Sequence, residues 1–382
     1  MKIGLDGRSI TNTPTGVGIY VLSILNYFLR KKIKCVIFVE NISKPISDIK
    51  NPNLEVIKIN PNRFLERHEK RYEWEEKRLP KYIVNSGIEL YHATDSAGIP
   101  SNLEIPTVLT VHDLIPFIIP DLPDRDPYQF KFYKIRIKQA VNLANKIIAI
   151  SNNTKNDLEK ILKVSSDKIK VIYQGVFSYN RFSYKMGEKI KRKFGIRERY
   201  IIYNGGLAER KNVDKIIQAF ALLKDEYKND LQLVIMGARG NKLLVQKIKE
   251  IIKKNKLQKQ VILIKDFISN EEKSILIQGS LLLIFISSYE GFGLPILEGL
   301  EAHVPVIASD IPIFKEIANN AIYYIKNPSD LNSIASGIKK ILQNKELKNK
   351  LIEKGKKIVK KYSWDNTARE TLDIYQELLK KG

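Results

Sequence analysis

Short apolar runs alternate with longer stretches whose apolar residues recur every three or four positions, from one end of the chain to the other. In the first half, strands are expected near "KIGLDG", "KCVIFVE", "LEVIKI", "IELYHA", "TVLTVHDL", "KIIAIS" and "IKVIYQG", with helical spacing around 18–30, 65–85, 128–143 and 153–162. The second half repeats the rhythm with "YIIYNGG", "LQLVIMG", "QVILIKDF", "SLLLIFIS", "VPVIAS" and "NAIYYI". These runs are apolar at nearly every position rather than at alternate ones, which predicts strands covered on both faces, as in parallel sheets. The expected fold is therefore α/β, with two Rossmann-like doubly wound domains in tandem. The rhythm breaks in "GVFSYNRFSYKMGEKIKRKFGIRERY", which places the first domain over 1–180, a linker over 181–199 and the second domain over 200–361. The tail over 362–382 reads as a helix. Its Ala368, Leu372, Tyr375 and Leu378 or Leu379 keep helical spacing and need a surface to cover, which the first domain is expected to offer. Ligands of such sheets bind beyond the carboxyl ends of the strands, so the chemistry is expected in loops bordering a cleft between the domains.

Composition narrows the function classes. The single cysteine, Cys35, excludes an internal disulfide and any multi-cysteine metal site, and points to a reducing compartment. No apolar run approaches the ~20 residues that span a bilayer, so a soluble cytoplasmic chain is expected. The net charge of +23, from 65 basic and 42 acidic residues, attracts nucleic acid, acidic lipid headgroups or a phosphorylated substrate, or reflects lysine-rich usage alone. Charge does not choose among these. No recognised nucleic-acid module is present, so nucleic acid is not the expected partner, although a basic nucleic-acid-binding protein is the rival that charge allows. The stretch "NRFLERHEKRYEWEEKRLPKYIVN" reads as a charged helix with aromatic positions, suited either to the surface of an anionic membrane or to a solvated face.

Four stretches carry candidate chemistry. In "SLLLIFISSYEGFGLPILEGL" a strand ends near Ser287, Gly291 and Gly293 make a turn, and Pro295 sits in the first turn of a helix. The amides around Phe292, Gly293 and Leu294 then form a helix N-terminus suited to an anion. Glu290 in the turn and Glu298 in the helix would repel phosphate, so their expected task is to accept hydrogen bonds from hydroxyls on either side of it. By spacing alone, an ordinary helix-start acid and a solvated helix face are the favoured reading of the two. In "YIIYNGGLAERKNVDKII", Arg210 and Lys211 follow a glycine turn, a position from which both reach a diphosphate. Gly16 and Gly18, between the first strand and first helix, make a GxG without the third glycine of a dinucleotide fingerprint. His112 ends the strand of "PTVLTVHDLIPFIIP". The other histidines have no metal-like spacing. Asp124, Arg125 and Asp126 have the D-x-D form that holds a metal elsewhere, but their proline-bordered loop before a helix favours capping, so no metal is expected.

The string from Glu290 to "PVIAS" resembles the retaining glycosyltransferases of family 4, whose signature is Glu, seven residues, Glu, within "E-G-F-G-L-P-x-x-E". The segment "GGLAERKN" is similar to their "G-x-L-x-x-R-K-N", and "DGR…TGVGIY" and "HDLIP" are similar to elements of mannosyltransferase-like members. The resemblance implies the two-domain GT-B fold and a nucleoside-diphosphate sugar as donor. It assigns Arg210 and Lys211 to the diphosphate, Glu290 to the sugar hydroxyls and Glu298 to the ribose. The backbone near Phe267 and Ile268 would meet the base, the Gly16–Gly18 loop would border the diphosphate, and His112 would orient the transferred sugar. It implies transfer with retention, metal-independent and without a cofactor, of a hexose to a glycan or lipid-linked glycan acceptor; peripheral contact with the inner face of an anionic membrane rests on the charged helix above and stays open against a solvated face. GDP-mannose is favoured, and UDP-linked sugars fit the same motifs. A GT-B-like epimerase shares the fold. One departure stands out. Relatives read "E-A-M-A-x-G-x-P-V" where this chain reads "EGLEAHVPV", so His303 replaces a helix-ending glycine and Glu301 an alanine. Either the turn differs or His303 accepts strain.

Overall fold

The computed structural model describes the chain except for residues 63–64, 120–126, 180–182, 224–225, 228–229, 239–241, 267 and 382. The described residues form two compact units, one holding the chain up to Gly175 together with the stretch from Tyr362 onward, the other Val176–Lys361.

The first unit is built on seven parallel strands in the order β3-β2-β1-β4-β5-β6-β7. They are β1 Lys2–Asp6, β2 Lys34–Val39, β3 Leu54–Lys58, β4 Leu90–Ala93, β5 Thr107–Val111, β6 Lys146–Ala149 and β7 Ile169–Val171. Each coincides with a run expected from the pattern. The central strands are apolar on both faces because both faces are covered, and every residue of β4 and β5 is buried. Ile3 of β1 pairs with Cys35 on one side and Leu90 on the other, so the winding direction reverses between β1 and β4. That switch point is where an open α/β sheet parts its loops.

The C-terminal helix, Trp364–Lys381, closes this unit against the helix Gly16–Arg30. Ala368 and Tyr375 are buried as the spacing required, and Tyr375 packs on Phe28 with ring centroids 5.6 Å apart. Two threonines, Thr367 and Thr371, complete the buried face. Their hydroxyls hydrogen-bond to carbonyls, Thr367 to Tyr173 and Thr371 to Thr367, each at 2.7 Å, which makes the burial of a polar side chain tolerable. The Tyr375 hydroxyl lies 2.5 Å from Nδ1 of His92, whose Nε2 meets Thr110 at 2.7 Å. Burial, with a smaller contribution from His112, holds the His92 pKa down to about 3. Gly175 lies under this crossing, where a Cβ would come within 2.1 Å of the Trp364 nitrogen.

The second unit has six parallel strands in the order β10-β9-β8-β11-β12-β13. They are β8 Tyr200–Asn204, β9 Gln232–Met236, β10 Val261–Ile264, β11 Leu283–Phe285, β12 Val306–Ser309 and β13 Tyr323–Ile325. The switch point falls between β8 and β11. Most of the stretch expected as a linker, 181–199, is helix: Tyr184–Phe194 begins at Ser183, whose hydroxyl accepts from the Met186 amide, and ends at Gly195 in the left-handed region. It packs beside the helix Asn270–Gln278 and belongs to this unit. Its run of lysines hides an inner face in which Gly187, Ile190 and the stem of Lys191 are buried. At His303 the chain keeps the ordinary helix-ending turn, with the Val304 amide donating to Gly299 at 3.0 Å, and His303 takes φ +57° to do so. The residue accepts the strain.

Candidate active site

Both motif loops of the second unit leave the sheet at its switch point, and the topology is what makes them neighbours. After β8, Glu209–Lys211 make a single 3-10 turn and Asn212 enters the left-handed region at φ +49°, which asparagine tolerates better than most residues. The Asn212 side chain then reaches across to the loop after β11, donating to the Ile286 carbonyl at 3.2 Å and to Ser288 at 3.0 Å. The Ser288 amide returns a bond of 2.8 Å to the Arg210 carbonyl. Arg210 donates from the same nitrogen to the Tyr289 carbonyl at 2.7 Å and pairs with Glu290 at 2.5 Å. Two segments nearly eighty residues apart are thereby stitched into one surface.

Lys211 sits differently. Its ammonium faces the Phe285 ring at 5.6 Å from the centroid and makes no hydrogen bond or ion pair among the described residues. Burial pushes its pKa below the ordinary lysine value and the neighbouring Arg210 adds to this, while Glu290 opposes both. A half-buried cation beside an arginine, with its own hydrogen-bonding capacity unused, is a site prepared for an anion.

Gly293 begins the helix Leu294–Glu301 at φ +119°, packed so close to Phe314 and Ile317 that a Cβ would sit 3.0 and 3.1 Å from them. Pro295 stands in the first turn, as expected. Gly291 and Phe292 complete the turn, with Phe292 buried beneath it. Glu298 projects from the second turn of this helix, and neither carboxylate is a solvated acid. Its Oε1 is 2.5 Å from the Lys273 ammonium and its Oε2 accepts from the Asn204 side chain. Three cations, Arg210, Lys211 and Lys273, thus accompany two carboxylates, Glu290 and Glu298, leaving one net positive charge. That balance lets two acids stand beside a helix N-terminus suited to an anion. Glu301 accepts from the Tyr179 amide at 3.3 Å, and the Tyr179 hydroxyl is buried without a partner among the described residues. Ile268 is half-buried after β10, whereas Phe267 lies outside the described residues.

In the first unit, Gly16 and Gly18 are the first and third residues of the helix Gly16–Arg30 rather than loop residues. A Cβ on Gly18 would lie 2.4 Å from the Ser9 carbonyl oxygen, so this glycine lets the loop after β1 rest on the helix. His112 is buried, and both ring nitrogens are engaged: Nε2–H donates to the Thr94 carbonyl at 2.8 Å and Nδ1 accepts from Gln174 at 3.2 Å. Below the β1 loop lies a buried ionic cluster that the sequence did not suggest. Glu75, wholly enclosed, receives Arg8, Arg71 and Arg136, each at 2.8 Å, and Arg8 also clasps Asp6. Burial pushes the Glu75 carboxyl up, but Arg71, Arg8 and Arg136 outweigh it and bring it down to about 2. The stretch expected to lie on a membrane or in solvent therefore points its centre inward, with Trp74 buried and donating to the Ile59 carbonyl at 3.1 Å.

Asn204, Asn212, Lys273 and Arg8 were not among the residues expected to serve the site. Asn212 stood inside the quoted "RKN", where a polar residue able to adopt positive φ follows a tight turn. Lys273 carries no local signal, since its partner lies 25 residues away, whereas Arg8 stood beside Asp6 inside "DGR" and only its pairing with Glu75, 67 residues on, left no mark. No group of three or more metal-ligating side chains is gathered among the described residues, and Asp124–Asp126 lie outside them. Among the described residues no helix is long and apolar enough to cross a membrane. A cavity of about 200 Å³ between the helices Tyr184–Phe194 and Asn270–Gln278 shares no lining residue with the site.

Two family models match the chain: Glycosyltransferase Family 4 over residues 14–177 and Glycosyl transferases group 1 over 187–358. The O-antigen chain mannosyltransferase RfbU of Salmonella typhimurium is 30% identical over 258 residues, 68% of this chain and 66% of that protein, just under two thirds of its length. The O-antigen chain mannosyltransferase B of Escherichia coli is 24% identical over 316 residues, 81% of this chain and 78% of that protein. Among solved structures, the sucrose-phosphate synthase from Thermosynechococcus elongatus superposes with a TM-score of 0.81 at 16% identity, covering 100% of both chains. With both halves of the chain matched by glycosyltransferase models, and the paired sheets and motif loops in place, the chain belongs to the group 1 and family 4 glycosyltransferases, enzymes of the GT-B fold.

Proposed function

We propose that the enzyme transfers a hexose, mannose in preference, from a nucleoside-diphosphate sugar to a hydroxyl of a glycan or lipid-linked glycan, with retention and without a metal. The observation that carries the donor reading is the Lys211 ammonium, without a hydrogen bond or ion pair among the described residues, beside the Arg210–Glu290 pair at the sheet's switch point. Departure of the diphosphate from C1 develops negative charge on the phosphate and positive charge on the sugar. Arg210, Lys211 and the amides of Gly293 and Leu294 stabilise the first. Glu290 accepts from the sugar hydroxyls and Glu298 from the ribose, while the backbone near Ile268 meets the base. In the first unit, the helix start at Gly16 and Gly18 and the His112 ring serve sugar and acceptor, His112 by exchanging the Thr94 carbonyl for a hydroxyl. Retention without a nucleophile follows a same-face route, in which the leaving phosphate accepts the acceptor's proton.

Mannose is favoured because the relatives RfbU and mannosyltransferase B are O-antigen chain mannosyltransferases. A lipid-linked acceptor at an anionic membrane is supported by the helix Pro127–Leu143, which exposes Tyr128 and Ile135 among Lys131, Lys134 and Lys138 and contains no acidic residue. A panel of nucleotide-sugars, screened for binding and slow donor hydrolysis with and without chelator, tests the proposal. GDP-mannose is expected to bind and hydrolyse regardless of chelator. A UDP-sugar preference would redirect the donor, loss of activity in chelator would overturn metal independence, and failure of every nucleotide-sugar to bind would overturn the donor site.

A further inference from the structure

Glu298 is held from two sides by elements far apart in sequence. Asn204 is the last residue of β8 and Lys273 the fourth of the helix Asn270–Gln278, and their side chains take one carboxylate oxygen each. Lys273 and Glu298 are only 17% and 13% exposed, so their pair is well shielded from solvent. A carboxylate oxygen has about two lone-pair directions. With one on each oxygen occupied, one acceptor direction remains on each, enough for two adjacent hydroxyls. A free glutamate would have to lose rotamer freedom to present the same pair of acceptors. We infer that Lys273 and Asn204 are positioning residues that hold the Glu298 carboxylate in one orientation, and thereby set how strongly a nucleotide's ribose is preferred over deoxyribose. The inference rests on the donor reading above and extends it to two residues outside the family motifs. Neither residue needs to touch the nucleotide.

The test is calorimetric titration of the full chain with GDP and UDP and with their 2′-deoxy and 3′-deoxy counterparts. Loss of one hydrogen bond to a charged acceptor should give the native enzyme a roughly tenfold preference for ribose. Lys273→Met and Asn204→Ala are each expected to bring that ratio to within about twofold, with affinity for the deoxy nucleotides changed by less than about threefold. Lys273→Arg, which keeps the cation, is expected to restore most of the preference. Retention of the native ratio in both variants would overturn the inference, as would an equal fall for ribose and deoxyribose nucleotides, which indicates a general electrostatic or folding role. A native enzyme that binds nucleoside diphosphates without preferring ribose would also overturn it. Failure of the native enzyme to bind any of them would instead remove the donor reading itself.

Discussion

Lys211→Met separates a ligand-binding lysine from a structural one, because the two roles predict opposite effects on stability. The ammonium is half-buried, stands beside Arg210 and makes no hydrogen bond or ion pair among the described residues. Methionine keeps the packing against Phe285 and removes the unpaired charge, so the unliganded variant should be as stable as the native protein or more so. In the complex the same ammonium would donate charge-assisted hydrogen bonds to phosphate, worth about 1.5–3 kcal/mol in total. Nucleoside-diphosphate binding should therefore weaken roughly 10- to 150-fold. Stability against pH gives a second reading. The folded pKa of Lys211 lies below its unfolded value, so between the two the unfolded chain holds more protons and stability rises with pH. That rise should be absent from the Met variant. Urea denaturation at pH 7 and 9.5, paired with calorimetric titration of GDP and UDP, measures both quantities. A variant that binds nucleoside diphosphates within about twofold of native, or that loses more than ~2 kcal/mol of stability without ligand, would refute the assignment.

Further outcomes follow from the same geometry. Asn212→Ala removes the bonds to Ile286 and Ser288 and leaves alanine at positive φ, so it should cost roughly 2–3 kcal/mol of second-unit stability in urea titrations and weaken nucleotide binding by loosening Arg210. Glu75→Gln leaves buried Arg136 and the partly buried Arg8 and Arg71 without their shared carboxylate and should destabilise the first unit by roughly 3–5 kcal/mol. The native Glu75 contribution, complete above its unfolded pKa near 4.5, should be lost as pH falls toward about 2, visible as a steep acid limb missing from the variant. His303→Gly relieves a left-handed residue at the helix end and should raise second-unit stability by up to ~1 kcal/mol, with nucleotide binding unchanged. Tyr375→Phe removes a bond to buried His92 and should cost the first unit ~1–2 kcal/mol.

Much of this protein is legible locally. All thirteen strands fall on runs read from the apolar pattern, because a strand covered on both faces is largely apolar whatever its neighbours are, and the half-exposed edge strands β3 and β7 keep enough apolar positions to be read. Glu290, Glu298, Arg210 and Lys211 were legible for a related reason: each lies in a contiguous string whose glycines, proline and charges already describe a turn and a helix start. The helix Tyr184–Phe194 was hidden by its lysines, whose stems cover apolar surface while their charges read as loop or linker. Trp74 and Glu75 were misplaced because a run so rich in charge reads as solvated until its arginine partners are known.

What the sequence determined by itself was therefore the set of elements, the fold class and the residue types of the two motif loops. The tertiary structure decided the strand order that makes β8 and β11 neighbours, the Arg210–Glu290 and Lys273–Glu298 pairings, the isolation of Lys211, and the enclosure of Glu75 by three arginines. The physical reason is range. Periodicity and turn chemistry act over a few residues and leave a mark in the order of amino acids, whereas an ion pair across 25 to 80 positions depends on which strands adjoin, and nothing in either local segment records its partner.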